Sequence, residues 1–320
     1  MLKKYLYSIL PDEFLKELKV LKELVKFRRK ALKNSTGFIP YWIEVIIYKI
    51  WPAKTILFYP ELPKPYHVAF KLCALLRYKP VNNTNRKFNV FFKFKDSTYC
   101  DFRSILPAAL KAKYGINIRS LDISKECIQT MFEEVFQYSL KVDPLKYKGS
   151  VVMKSNDNYA HDGKIVCSPM RRSEIDDDFV YQKTIDTKTS DGFYVDFRVP
   201  VHGDTIPLVY KKFKTHHFRS DVAYSEIHDA EEIFSKQEIQ MIIRFADALN
   251  IQFGEFDVLR DNYDDRIYIV DAANTPSGPR RGISQKQQKF ALEIMRKSFA
   301  RLVQKFEDLY RSNTDQQRQV

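Results

Sequence analysis

One stretch near the carboxyl end constrains the chain most: residues 253–281, FGEFDVLRDNYDDRIYIVDAANTPSGPRR. FDVLRD reads as a strand led by an acidic residue, NYDD as a polar turn, and RIYIVDAANTP as the returning strand with a second carboxylate near its end. Asp257 and Asp271 then face one mouth of a hairpin. Two carboxylates beside an asparagine, close to basic residues and followed by proline and glycine, suit a magnesium ion holding a nucleotide's phosphates. A hairpin with two solvated aspartates fits the same letters.

The 320 residues (37.9 kDa) can bury a substantial core, with room for two or three domains or subdomains. Hydrophobic residues make up 44% and aromatics 14%, which argues for a folded protein. Nine glycines are few for this length, and no P-loop or dinucleotide glycine motif occurs. Phosphate binding then falls to lysines, arginines and helix N-termini. The net charge of +13 calls for a polyanionic partner, and nucleotide, nucleic acid and anionic membrane all qualify. Cys73, Cys100, Cys127 and Cys167 stand singly, with no CxxC and no secretory signal, so a reducing cytosol is expected and neither disulfides nor a zinc site.

Residues 1–36 read as basic helices, with ten Lys or Arg against four Asp or Glu over residues 1–34 and Phe14, Leu15, Leu18, Leu21 and Val25 at helical spacing. The aromatic run FIPYWIEVIIYKIWP (38–52) is interrupted by Glu44 and Lys49 and is too short to cross a bilayer. A basic segment beside an aromatic-rich one can lie on a membrane surface; packing on the body of the protein or on a second copy is the competing expectation. Residues 55–115 alternate strand TILFYP, a helix around 68–76, strand NVFFKF and a helix around 104–113, a small parallel α/β unit. Lys95, Asp96 and Thr98 sit at the carboxyl end of its second strand, where ligands bind in such sheets.

Ser124 caps a helix striped by Ile128, Met131, Phe132 and Val135. Lys125, in the first turn, is disfavoured by the helix dipole and suited to a phosphate. SVVMKSNDNYAHDGKIV (150–166) reads as strand, polar turn, strand; Lys154 ends the first strand, and Asn156, Asn158, His161 and Asp162 crowd the turn. In YVDFRVPV, Asp196 and Arg198 share one sheet face, as a structural ion pair or with the arginine beside a polyphosphate. Lys211, Lys212, Lys214 and Arg219 add cations. Ser235 with Glu238 forms a capping box, Ser284 caps a long final helix, and a polar tail at 311–320 is expected to fray.

Taken in order, these segments resemble the ATP-grasp superfamily over residues 117–306. DISK is similar to the helix start that supplies a first nucleotide lysine, here Lys125, and VVMKSNDN to the strand carrying the second, Lys154. VYQKTID resembles the hinge, where Gln182, Lys183 and Ile185 would meet the adenine edge, largely through backbone groups. DFRVPV resembles the family's acidic-x-Arg strand, with Asp196 towards the ribose and Arg198 towards the polyphosphate. HFRSDVAYSE is similar to the FRSN segment of the ribosomal-protein glutamate ligase branch, so Arg219 would stabilise an acyl phosphate, with Asp221 standing where that branch has Asn. FDVLRD and IYIVDAANTP resemble the magnesium hairpin, which makes Asp257 and Asp271 the metal ligands. One departure stands out: Ala273 occupies the place of the family's asparagine ligand. Asn274 is next in line and reaches the metal only if the strand ends or bulges there.

The resemblance implies an α/β (α+β) protein with an ATP-grasp fold of two α+β subdomains at 117–310. A small parallel α/β domain at 54–116 and a basic helical segment at 1–53 would precede it. It further implies an ATP- and magnesium-dependent carboxylate ligase, in which an amine attacks an acyl-phosphate intermediate. The basic start of the chain extends this to an anionic glycan or metabolite, as in surface-polysaccharide modification. A cytoplasmic location follows, with peripheral contact to the inner membrane face through residues 1–52, or a homodimer. Nucleic acid is not expected, since the cations are not interleaved with a recognisable RNA-binding motif. A kinase-like phosphotransferase of the same fold and a nucleotide-binding module weakened at Ala273 are the alternatives.

Overall fold

The computed structural model describes residues 12–32, 40–112, 114–158, 160, 162–216, 221–280 and 282–317, the last six by backbone alone. Strands β1 (Lys54–Pro60), β2 (Tyr78–Val81), β3 (Val90–Phe94) and β4 (Gly115–Ile116) form a parallel sheet in the order β2-β1-β3-β4. Their short apolar runs are buried on both faces, as a parallel sheet requires. The sequence hides β2 because Pro80 argues against a strand, and as an edge strand it tolerates the missing N–H.

Helices α1 (Asp12–Ala31), α2 (Tyr41–Ile50), α3 (Val68–Leu76) and the last helix, α8 (Gln285–Gln317), bury apolar residues in one core with this sheet. Leu21, Leu24 and Val25 of α1 meet there with Val45 and Tyr48 of α2, Phe92 and Phe94 of β3, and Met295, Phe299 and Val303 of α8. Among the described residues the two amino-terminal helices and α8 thus share a core with the parallel sheet. The helix also continues through residues 311–317 of the expected tail, and 318–320 lie outside the described residues.

The rest of the chain builds two antiparallel sheets. Strands β5 (Gly149–Ser155), β6 (Lys164–Ser168) and β7 (Phe179–Lys183) form a three-stranded sheet in the order β6-β5-β7. Strands β8 (Tyr194–His202), β9 (Val209–Lys214), β10 (Val222–His228), β11 (Phe253–Arg260) and β12 (Ile267–Ala273) form a five-stranded one in the order β10-β9-β8-β11-β12. Short helices lie at Leu106–Ala109 (α4) and Ala230–Ile233 (α6). The longer helices α5 (Lys125–Phe136) and α7 (Lys236–Ala248) cover one face of the five-stranded sheet. Ile128, Phe132 and Phe136 of α5 and Ile242 and Phe245 of α7 pack there on Val199, Phe256, Val258 and Ile269. Strand alternation therefore turns Asp196, Arg198, Glu255 and Asp257 to the opposite face. The three helix caps read from the sequence are present: Ser124 accepts from Cys127 N, Ser235 forms a capping box with Glu238, and Ser284 accepts from Gln287 N. A parallel sheet with helices, followed by two antiparallel sheets, makes the mixed α/β fold expected from the sequence.

Asn117 locks the domains together. It follows β4 in the left-handed region (φ 59°), and its side chain accepts from Gln252 N and Phe253 N and donates to Phe253 O. The α/β sheet is thus tied to the first residue of β11.

Candidate active site

The helix-free face of the five-stranded sheet looks across at the three-stranded sheet, and between them runs a cleft of about 750 Å³. That volume is within the range of sites for nucleotide-sized ligands. Tyr66 and Lys71 of the α/β domain, with Ser277, Gly278 and Arg280, line its remaining side.

Asp257 and Asp271 lie directly opposite each other on β11 and β12 and both line the cleft. Cations hold each of them. Asp257 Oδ1 is 3.0 Å from Arg198 Nε and 2.9 Å from Lys212 Nζ, while Asp271 Oδ1 accepts from Lys125 Nζ at 2.8 Å. Burial by itself would push the Asp257 carboxyl up; Arg198, Lys212 and Arg280 overcome it and hold the group well below the usual carboxylate range. The pattern continues sideways: Lys212 and Lys214 meet Asp196 at 3.5 and 2.7 Å, and buried Glu255 is 3.8 Å from Arg198 and bonds Arg280. Alternating charge therefore crosses β8, β9 and β11 as a continuous net.

Two further lysines enter the cleft, one from α5 and one from the facing sheet. Lys125, at the start of α5, is buried and also bonds Asn158 of the β5–β6 turn. Its pairing with Asp271 explains a cation in the first turn of a helix, since a carboxylate offsets the unfavourable dipole. Lys154 of β5 reaches across to Val270 O at 3.1 Å, and no carboxylate pairs with it among the described residues. Burial, aided by nearby Lys125 and opposed by Asp271, lowers its pKa to about 8. Gln182 of β7 lines the same cleft, and its buried Nε2 has no hydrogen-bond partner among the described residues. Ile185, also buried, supplies an apolar surface beside it.

Lys183 also lines the cleft, and its side chain has a separate structural partner set. Its Nζ lies 2.8 Å from Asp261, 3.0 Å from Asp264 and 3.0 Å from Tyr268 Oη, which binds the hinge strand to the β11–β12 turn. Burial works against its charge, but these three bonds raise its pKa above the ordinary lysine value. Its side chain therefore acts as a tie between the two subdomains.

Asn274 is buried beside the cleft but not in its lining, and its Oδ1 has no hydrogen-bond partner among the described residues. Strand β12 ends at Ala273, and the next amide turns away from the cleft: Asn274 Nδ2 donates to Ser120 Oγ at 3.3 Å, and the side chain is buried. Ala273 faces the cleft and stands opposite Glu255. The structure thus brings Asp257 and Asp271 together without Asn274, and among the described residues no group of three His, Cys, Asp or Glu is placed to hold a metal. Two carboxylates side by side still fit the donor chemistry of magnesium, which keeps several waters and takes its other oxygens from phosphates. Arg219 and His161 lie outside the described residues. The sequence reading passed over Glu255, Lys212, Lys214 and Arg280 as site residues. Strand parity was the available signal for three of them, since Glu255 shares a face with Asp257, and Lys212 with Lys214.

No family model matches the sequence, and no curated protein matches it. Among solved structures the chain is similar to D-alanine–D-alanine ligase from Bacillus anthracis complexed with ATP, at 12% identity and a TM-score of 0.49 over 81% of this chain and 98% of that one. It is similar to a RimK domain ATP-grasp protein from Sphaerobacter thermophilus, at 12% identity and 0.46 over 78% and 98%. It is also similar to the ATP-grasp ligase PsnB complexed with minimal precursor, at 14% identity and 0.41 over 61% and 68%. These are likenesses of backbone arrangement, and what the cleft does follows from its own residues.

Proposed function

We propose that the chain is an ATP- and magnesium-dependent carboxylate ligase. The observation that carries this reading is the meeting, in one cleft, of paired Asp257 and Asp271 with Lys125 from the start of α5 and Lys154 from the facing sheet. Magnesium held by Asp257 and Asp271 would supply charge neutralisation at the phosphates. Lys125, Lys154, Arg198 and Lys212 would bind and orient the phosphate oxygens, taking over the negative charge that Asp257 and Asp271 now offer three of them. The unpaired Gln182 amide and Ile185 suit a purine edge and face, and Asp196 the ribose. Arg219 is assigned to the acyl phosphate on sequence resemblance alone.

In the reaction, a substrate carboxylate oxygen attacks the γ-phosphorus and ADP leaves. An amine then attacks the acyl carbon, phosphate leaves, and the amine's proton passes to solvent or a base. Cations outnumber carboxylates in the cleft lining, which favours an anionic substrate such as an acidic glycan or metabolite of surface-polysaccharide synthesis, in the cytoplasm. The experiment is product analysis with ATP, magnesium and mixed carboxylates and amines. Free phosphate with a new amide supports the ligase; a phosphorylated acceptor as end product contradicts it and supports the kinase-like reaction.

Ala273 favours a second reading, a nucleotide-binding module with little turnover, because the cleft lacks the third metal ligand there. An Ala273→Asn variant that gains turnover supports the ligase with a weakened metal site. Magnesium-dependent binding without turnover in both forms supports the module.

A further inference from the structure

Helix α2 buries Glu44, Val45 and Tyr48 and leaves the other side bare: Trp42, Ile43, Ile46, Ile50 and the following Trp51 are 47 to 68% exposed. Isolated exposed apolar residues need no explanation, but five large ones along one short helix form a patch. The patch carries no negative charge. Glu44, the only acidic residue of α2, is turned inward and bonded by Arg28 at 2.7 Å, with Arg29 at 3.7 Å. Beside it runs a cationic stripe of α1, with Lys16, Lys19, Lys26 and Lys30 exposed at helical spacing and only Glu23 interrupting them. Lys22 joins stripe and patch, its Nζ lying 4.9 Å from the centre of the Trp42 ring.

We infer that this face docks on an anionic phospholipid surface, with the Trp and Ile side chains at the headgroup level and the lysine stripe on the phosphates. Tryptophan favours that boundary, and lysines beside an apolar helix face add electrostatic attraction to anionic lipid. A second copy is the poorer occupant, because apposing two such faces sets lysine stripe against lysine stripe. The placement leaves the cleft open. Trp51 O is bonded by Arg77 next to the amino ends of β1 and β2, whereas Tyr66 at the cleft follows the carboxyl end of β1. None of the described helices is long and apolar enough to cross a membrane, so the contact is peripheral. The inference does not depend on the cleft's chemistry.

Trp42 and Trp51 are the only two tryptophans of the chain, so intrinsic tryptophan emission reports on this surface alone. The full chain is titrated with vesicles of phosphatidylglycerol and phosphatidylcholine, and with vesicles of phosphatidylcholine only. A blue shift and co-sedimentation with the anionic vesicles are expected, reversed by about 1 M salt. Ile46→Glu and the double variant Lys19→Glu/Lys26→Glu should each weaken binding by about tenfold or more. Both alter exposed positions, and unchanged far-ultraviolet circular dichroism and nucleotide binding verify that the variants remain folded. Absence of vesicle binding, or binding unchanged in these variants, overturns the inference. Self-association abolished by Ile46→Glu, with no response to vesicles, overturns it in favour of a second copy.

Discussion

Lys154 carries a charge that its surroundings disfavour, and that makes it useful. With its pKa lowered to about 8 by burial, and held there against burial by nearby Asp271 and Asp257, it is still mostly protonated at neutral pH and loses its charge just above it. Nucleotide affinity should therefore fall as pH rises from about 7 to about 9, as calorimetric titration across that range would show. The sign for folding is opposite: the unfolded chain binds the proton more tightly, so this lysine's burial penalty fades as pH rises through 8. Lys154→Met should thus weaken nucleotide binding about tenfold to hundredfold, the loss of one or two charged hydrogen bonds, without lowering the melting temperature. Asp257→Asn should remove the magnesium dependence of nucleotide binding. Its neighbours keep other partners, Arg198 in Glu255 and Lys212 in Asp196, so the fold should survive. At this scale the sequence was partly legible. It placed Lys125, Lys154, Asp257 and Asp271 in the cleft, because parity and position within an element determine where such side chains point. It could not show that Lys183 is held by a turn some eighty residues later, or that Asn274 faces Ser120, because both depend on tertiary neighbours.

At the scale of elements, the β11–β12 hairpin depends on its close fit to the backbone around it. A Cβ at Gly254 would meet Ile251 Cγ2 and come within 2.8 Å of Ala273 O on the paired strand. Gly254→Ala should therefore destabilise the protein by about 1–3 kcal/mol, read from chemical denaturation, and weaken magnesium binding by separating Asp257 from Asp271. Asn117→Ala removes the buried clasp at the start of β11 and a residue type suited to φ 59°, and should cost about 2–4 kcal/mol. Strands with plain alternation or continuous apolar runs were legible, as were the three serine caps. Strand β2 was not, because Pro80 masked an edge strand, and β9 and β10 were read as a run of cations because VYKKFK does not alternate, its Lys212 and Lys214 being buried by pairing with carboxylates.

For the whole molecule, α8 decides the architecture. It joins the amino-terminal core, and its Ser298 Oγ lies 2.6 Å from Nδ1 of buried His202 on β8, whose ring stacks on Phe253. A polar end of chain gave no sign of this, since a helix of that composition reveals its packing face and not its partner. Burial lowers the pKa of His202 to about 3. Burial likewise lowers His67 to about 4, although Asp96 opposes it. Both pKa values lie below the unfolded value of 6.5, so the unfolded state takes up protons first as the solution is acidified. Stability should fall from about pH 6.5 towards pH 4, and His202→Gln should flatten part of that slope in a melting series. The central claim is that the cleft between the two antiparallel sheets binds nucleotide with magnesium. Its most direct test is calorimetric titration of the protein with a non-hydrolysable ATP analogue, with and without magnesium, alongside Lys154→Met and Asp271→Asn. The account predicts magnesium-dependent one-to-one binding that both substitutions weaken; binding that is absent, or indifferent to both, would contradict it.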